Sequence, residues 1–193
     1  MRRPASRKVQ KMDRFERHLE RYRKPIYNYV VRLIGDSSTA EDIAQETFLR
    51  LFTELDRIRD KTVSAWLYRV ARNLVTDYIR KKKAVPFTVL KGKSADSDDS
   101  PTLDFAGSDP GPHELSWQSE LGQMIDKTLS AMSPKFRDVI VLVDVQGLTH
   151  EEAGEALGCS AKTVSARLAR AREFFAGRMG RHVGLPANDS DTG

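Results

Sequence analysis

The sequence holds a single cysteine, Cys159, which excludes an internal disulfide and any thiolate-rich metal site. In the turn where it lies, it is expected to act as a small buried filler. Long apolar runs are missing as well. The longest aliphatic stretch, Val139-Ile140-Val141-Leu142-Val143, is closed by Asp144, far short of the ~20 apolar residues that a membrane span needs. No membrane insertion is expected. The basic N-terminal stretch from Met1 to Met12 is not followed by an apolar segment, so no signal peptide is predicted and a cytoplasmic location fits best. His18, His113, His150 and His182 are scattered without ligand spacing. Asp96, Asp98 and Asp99 lack the loop glycine and closing Glu of a calcium loop, and read as a solvated acidic run. There is no phosphate-binding glycine loop, no metal-ligand cluster and no nucleophile paired with a base. Catalytic residues, metals and cofactors are therefore not expected, and neither is an enzyme.

What is present is charge and helical periodicity. In a chain of 193 residues, a hydrophobic fraction of 39% and a charged fraction of 31% suit a helix-rich protein of one ordinary domain or two small ones. The charge is unevenly placed. Residues 1–83 hold 21 Lys and Arg against 11 Asp and Glu, a net of +10; residues 84–115 hold 2 against 6, a net of −4; residues 116–193 hold 9 against 10. A basic first part points to a polyanion, of which nucleic acid is the commonest.

The pattern predicts an all-α protein: two small helical domains joined by a flexible linker, the second containing a helix-turn-helix. In the first block Leu19, Tyr22, Ile26, Tyr29, Val30 and Leu33 keep helical spacing, with a kink or restart expected at Pro25 and a stop at Gly35. Ser38 with Glu41 suggests a capping box. It would open a helix striped by Ala44, Phe48, Leu51, Phe52 and Leu55. A long helix follows Ser64, its inner stripe Leu67, Val70, Ala71, Leu74 and Tyr78. Its opposite stripe is Arg69, Arg72, Asn73, Thr76, Arg80 and Lys83, a face of cations and hydrogen-bonding groups. From Ala84 to His113 the chain is rich in Pro, Gly, Ser and Asp without a sustained period, as a tether is. In the second block a helix with Leu121, Ile125 and Leu129 leads to the cap pair Ser133-Pro134. Phe136, Val139, Ile140 and Val143 stripe the next helix, which Gly147 ends.

The segment from Thr149 to Phe174 has the parts of a helix-turn-helix. Thr149 and Glu152 form a capping box, Gly154 is the small residue where two helices cross, and Gly158 suits a positive-φ turn. Val164 would pin the second helix, capped by Ser160. Lys162, Thr163, Ser165 and Arg167 lie near its start, where such helices meet base edges. A plain helical hairpin has similar spacing, so this motif alone leaves both readings open.

Three stretches in order carry a family resemblance. Ala40-Glu-Asp-Ile-Ala-Gln-Glu-Thr-Phe-Leu-Arg-Leu-Phe52, Ser64-Ala-Trp-Leu-Tyr-Arg-Val-Ala-Arg-Asn-Leu-Val-Thr-Asp-Tyr-Ile-Arg-Lys-Lys-Lys83, and the second block from Leu129 through Gly147-Leu-Thr-His-Glu-Glu-Ala-Gly-Glu-Ala-Leu-Gly-Cys-Ser160 to Arg172 together resemble the two-module, extracytoplasmic-function type of bacterial sigma factor. The resemblance implies that residues 14–83 form region 2, which binds the core polymerase and recognises and melts the minus-ten element. Residues 84–115 would be a flexible acidic linker passing through the polymerase cleft, and residues 116–178 region 4, which reads the minus-thirty-five element. Residues 1–13 and 179–193 are expected to be disordered tails.

By that resemblance Asp42, Gln45, Glu46 and Phe48 dock on the clamp helices of the polymerase, although the pattern alone places Phe48 in the core. Trp66, Arg69, Arg72, Asn73, Thr76, Asp77, Arg80 and Lys83 would meet the melted promoter, with Trp66 rated first as a core anchor. Ser160, Lys162, Thr163, Ser165, Arg167 and Arg170 would read the upstream element. The implied partners are core RNA polymerase, promoter DNA and an anti-sigma factor, with no cofactor. Two departures stand out. The family usually has a bulky aliphatic residue then Ala at Ala153-Gly154, and often Lys-Ser at Ser165-Ala166, which implies a thinner helix contact and one cation fewer on the recognition face. The alternative is a free-standing helix-turn-helix regulator acting without polymerase. Such a protein pairs its binding module with a sensor or dimerisation domain, and the first block resembles neither.

Overall fold

The computed structural model describes residues 7–84 and 120–183. Among them the regular structure is helical, without strands. The expected linker, including Asp96, Asp98, Asp99 and Asp104, lies outside the described residues.

Helix α1 (Arg7–Ile34) is continuous through Pro25, so of the kink or restart expected there, the restart does not occur. It also begins well before residue 14, and the reason is a set of long-range anchors. Lys11 pairs with Asp56 at 2.9 Å. The Arg14 guanidinium donates to the Asp60 carboxylate at 2.6 Å and to the carbonyls of Leu55 and Ile58, while His18 meets the same Asp60 at 3.0 Å. These partners lie in two short 3-10 turns, Leu55–Arg57 and Asp60–Thr62, and Arg14 thereby occupies carbonyls that a helix end leaves open. Gly35 closes α1 at φ 72°, as its lack of a Cβ permits.

Helix α2 (Ser37–Glu54) starts two residues earlier than expected. Its cap is Asp36, whose carboxylate accepts the Thr39 N–H at 3.1 Å and the Thr39 hydroxyl; Ser38 with Glu41 is not the box. Those hydrogen bonds, the Thr39 hydroxyl foremost, hold the Asp36 carboxyl below its usual range. Helix α3 (Val63–Ala84) packs against both α1 and α2. Ile26, Tyr29, Val30, Leu33, Ala44, Phe48, Leu51, Leu55, Leu67 and Ala71 fill the space between the three. Phe52 departs from the expected stripe: it is 37% exposed and stands edge-on to Phe15, ring centroids 5.1 Å apart.

The second block comprises α4 (Glu120–Ser130), α5 (Pro134–Ile140), α6 (His150–Leu157) and α7 (Ala161–Val183), with one π-type turn, Val141–Val145, extending α5. Leu121, expected inside, is exposed; Ile125 and Leu129 do face the core. Helix α7 runs on to Val183, past the boundary at 178, because Met179 packs back on α4, where its sulfur accepts the Thr128 hydroxyl at 3.6 Å.

Gly154 shows why the helix-turn-helix needs a missing side chain. A Cβ there would stand 2.6 Å from the carbonyl oxygen of Cys159, a backbone atom that cannot swing away. At Gly177, in the middle of α7, a Cβ meets nothing within 4 Å. Gly154→Ala is therefore expected to destabilise the fold by ~1–3 kcal/mol, and Gly177→Ala to stabilise it by roughly 0.5–1 kcal/mol through helix propensity. Opposite shifts of the denaturant midpoint check the pair; equal shifts would place the crossing elsewhere.

Candidate nucleic-acid interface

The helix-turn-helix is assembled by local hydrogen bonds. The Thr149 hydroxyl accepts the Glu152 N–H at 3.2 Å while the Glu152 carboxylate accepts the Thr149 N–H at 2.9 Å, a reciprocal cap that fixes the start of α6. Gly158 then takes φ 69° and returns its N–H to the Gly154 carbonyl. The Ser160 hydroxyl accepts the Thr163 N–H at 3.1 Å and contacts the Thr163 hydroxyl at 2.9 Å. Val164, Leu168 and Ala171 are buried beneath α7, which turns Lys162, Ser165 and Arg170 outward and leaves Arg167 half-buried. Of the six residues expected on the recognition helix, Ser160 and Thr163 are thus already engaged in its cap.

On α3 the expected cationic face divides. Arg69, Asn73 and Arg80 are exposed, and Arg80 pairs with Asp77 at 3.0 Å. Thr76 is half-buried, its hydroxyl donating to the Arg72 carbonyl at 2.9 Å. Trp66 is half-buried against the core, in line with its reading as an anchor. The Lys83 side chain lies outside the described residues.

Arg72 is the exception. Its guanidinium turns to the second block and meets the Asp138 carboxylate of α5 at 2.7 Å. One turn earlier Tyr68 donates its hydroxyl to the Gln146 side chain at 3.0 Å. Asp138 is only 6% exposed, and burial pushes its carboxyl above the ordinary value, against the opposing pull of Arg72, Arg137 and Arg167. Tyr29 stands edge-on to Tyr68, ring centroids 5.3 Å apart. Its buried hydroxyl has no hydrogen-bond partner among the described residues, and burial raises its pKa well above normal. This contact between the blocks was not anticipated from the sequence. Its signal was there: Tyr68, Arg72, Val75 and Ile79 form a second stripe on α3 at helical spacing, and all but Arg72 are buried.

On α2 Asp42 and Gln45 are exposed, Glu46 pairs with Arg50 at 2.8 Å, and Phe48 is buried in the core. Beside them runs a groove of about 860 Å³ between α1 and α2, floored by Phe15, Leu19, Tyr27 and Phe48. Leu49, 64% exposed, stands at its lip. Sequence reasoning passed over Leu49 and placed Phe52 in the inward stripe, and both are exposed apolar groups of α2.

Fold and surfaces together define an all-helical protein with a helix-turn-helix block and a second block presenting a donor-rich helix. Comparison with known proteins makes the class specific. The family description "Sigma-70 region 2" matches residues 18–85 and "Sigma-70, region 4" matches residues 122–175. The ECF RNA polymerase sigma factor SigW of Bacillus subtilis is 34% identical over 163 residues, covering 83% of this chain and 86% of that protein. The ECF sigma factor SigE of Mycolicibacterium smegmatis is 32% identical over 157 residues, which is 81% of this chain but 58% of that longer protein. In fold, the chain is similar to the sigma factor RpoE of Bartonella quintana, solved with the anti-sigma factor NepR (TM-score 0.63, 20% identity, 86% of this chain and 96% of that one). It is also similar to CnrH, solved with the cytosolic domain of CnrY (TM-score 0.59, 20% identity, 86% and 88%). The chain belongs to the extracytoplasmic-function sigma factors of the sigma-70 family. It is a promoter-recognition subunit, directing core RNA polymerase to promoters for initiation. A free-standing regulator is not favoured, because residues 18–85, most of the first block, match region 2. Among the described residues no helix is long and apolar enough to cross a membrane.

Proposed function

We propose that this sigma factor reads its promoter with two surfaces and docks on the polymerase with a third. Arg69, Asn73 and Arg80, joined by Arg72, Thr76, Asp77 and Lys83, meet the melted minus-ten region. Cations hold phosphates there, and Asn73 offers donor and acceptor to an unpaired base. Lys162, Thr163 and Ser165 at the start of α7 face the upstream element, with Arg167 and Arg170 on the backbone. The observation that carries this reading is the exposure of Lys162, Ser165 and Arg170 on one helix and of Arg69, Asn73 and Arg80 on another. Residues 14–83 and 116–178 serve as the two modules, with 84–115 as linker. The protein acts in the cytoplasm as a binding subunit rather than an enzyme, and an anti-sigma factor binds and restrains it; the similar RpoE of Bartonella quintana is solved in complex with the anti-sigma factor NepR.

The docking surface is Asp42, Gln45 and Glu46 around the groove, with Phe48 supporting it from the core. Asp42→Arg with Glu46→Arg is expected to weaken core binding while leaving helicity and melting temperature nearly unchanged. Exposed charges contribute little to folding but matter when opposed across an interface. Co-purification of the double variant with core at the wild-type level would remove this face from the account.

On the recognition helix, losing a base contact costs ~1–3 kcal/mol and relaxes one position, whereas losing a phosphate contact weakens all sequences and lowers the salt slope by roughly one. Arg167→Ala is expected to reduce transcription uniformly, and Lys162→Ala or Ser165→Ala to change sequence preference. Transcription from a randomised upstream element at two salt concentrations reads both. A preference change with Arg167→Ala alone would mean that α7 lies rotated in the groove.

A further inference from the structure

Helix α1 is longer than the matched module. The match to region 2 begins at residue 18, whereas α1 starts at Arg7, so its first turns lie ahead of the matched segment. They are tied to the connection between α2 and α3. Lys11 holds Asp56 at 2.9 Å and stands 5.1 Å over the Phe52 ring, and Arg14 reaches three acceptors at once.

The connection needs such a partner. Leu55 and Val63, both fully buried, fix its ends. Between them two 3-10 turns are joined by Ile58 and Arg59, both in extended conformation. Each turn closes on itself, the Ile58 N–H on the Leu55 carbonyl at 3.3 Å and the Thr62 N–H on the Arg59 carbonyl at 2.9 Å. The corner between the turns is bridged by Arg14. Its Nε donates to the Asp60 carboxylate at 2.6 Å, one terminal nitrogen to the Leu55 carbonyl at 2.7 Å, and the other to the Ile58 carbonyl. All three nitrogens of one planar guanidinium are engaged, spanning both turns. A lysine ammonium, a single point of donation, has no such fork.

The same contacts sort the charges of the connection. Asp56 and Asp60 turn to α1, where hydrogen bonds from Lys11 to the first, and from Arg14 and His18 to the second, hold both carboxyls below their usual range. Arg59 and Lys61, on either side of Asp60, are exposed. The connection therefore shows cations outward at the head of α3, whose first turns carry Trp66 and Arg69. Side chains on a connection are only as well placed as the scaffold that holds it.

We infer that Arg14, on the helical extension ahead of the matched segment, is a positioning residue for promoter recognition: it holds the α2–α3 connection in the one shape that sets Arg59, Lys61 and the start of α3 against the melted strand. Arg14 itself touches no DNA. The inference rests on the assignment of α3 to the melted minus-ten region.

The test uses full-length chain and core polymerase, with transcription and open-complex yield measured at saturating core on promoters randomised over the minus-ten element. Arg14→Ala is expected to bind core as the wild type does. Its open-complex yield should fall roughly tenfold, the equivalent of one charge-assisted hydrogen bond, and its preference should relax at the minus-ten element while the upstream preference stays unchanged. Asp60→Asn, which keeps the shape of the side chain and removes its charge, should shift the same positions less. A mere loss of folded chain would lower all promoters alike, so wild-type minus-ten preference in Arg14→Ala overturns the inference whatever the yield. Should Arg14→Ala lose helicity by circular dichroism, Asp60→Asn decides alone, relaxed minus-ten preference supporting the role and wild-type preference refuting it. The assignment of α3 fails separately: Arg69→Ala and Asn73→Ala would then also leave minus-ten preference unchanged, whereas a response to these two and none to Arg14→Ala refutes the positioning role by itself.

Discussion

Everything in this fold turns on α3 serving three faces at once. Its Leu67 and Ala71 line belongs to the core with α1 and α2, its Tyr68, Val75 and Ile79 line is also buried, and its Arg69, Asn73 and Arg80 line is exposed. A helix has little more than three residues per turn, so three such faces leave no neutral ground between them. Arg72 falls on the border of the second and third lines. Its pairing with Asp138 is a geometric consequence of a helix that packs on two sides and keeps a donor-rich third side exposed.

The same economy shapes the other end of the molecule. Val164, Leu168 and Ala171 fasten α7 to its module, and Gly154 lets the turn backbone come close enough for that to happen. The first turn of α7 is held by Ser160 and Thr163, which leaves Lys162 and Ser165 as the outward groups nearest its start. Ala153-Gly154, a departure from the usual family pair, is thereby explained locally: the position after Ala153 faces the Cys159 carbonyl and has no room for a side chain.

Much of this was legible in the sequence because it is local. Thr149 with Glu152, the positive φ of Gly147 and Gly158, and the Ser160 cap each depend on residues within a few positions of one another, and the structure shows all of them. The start of α2 was misplaced because Asp36, Ser37 and Ser38 are all capable caps and only the turn at Gly35 decides among them. The early start of α1 and the module contact were not legible for a different reason. Arg14 and Asp60 are 46 residues apart, Arg72 and Asp138 are 66, and Tyr68 and Gln146 are 78. An arginine within a cationic stripe looks like a solvent or DNA group until the residue opposite it is known. The faces of α2, α3 and α7 could be drawn from periodicity, but not which member of each face another part of the chain had already engaged.

A sigma factor built this way should depend on the polymerase for promoter geometry, since two small modules cannot hold two promoter elements in register while one is closed upon the other. Footprinting of a cognate promoter with the purified chain, first alone and then with core polymerase, tests this most directly. The account predicts weak, unspecific protection by the chain alone and protection of both elements with core. Tight, sequence-specific footprints on both elements from the isolated chain would contradict it.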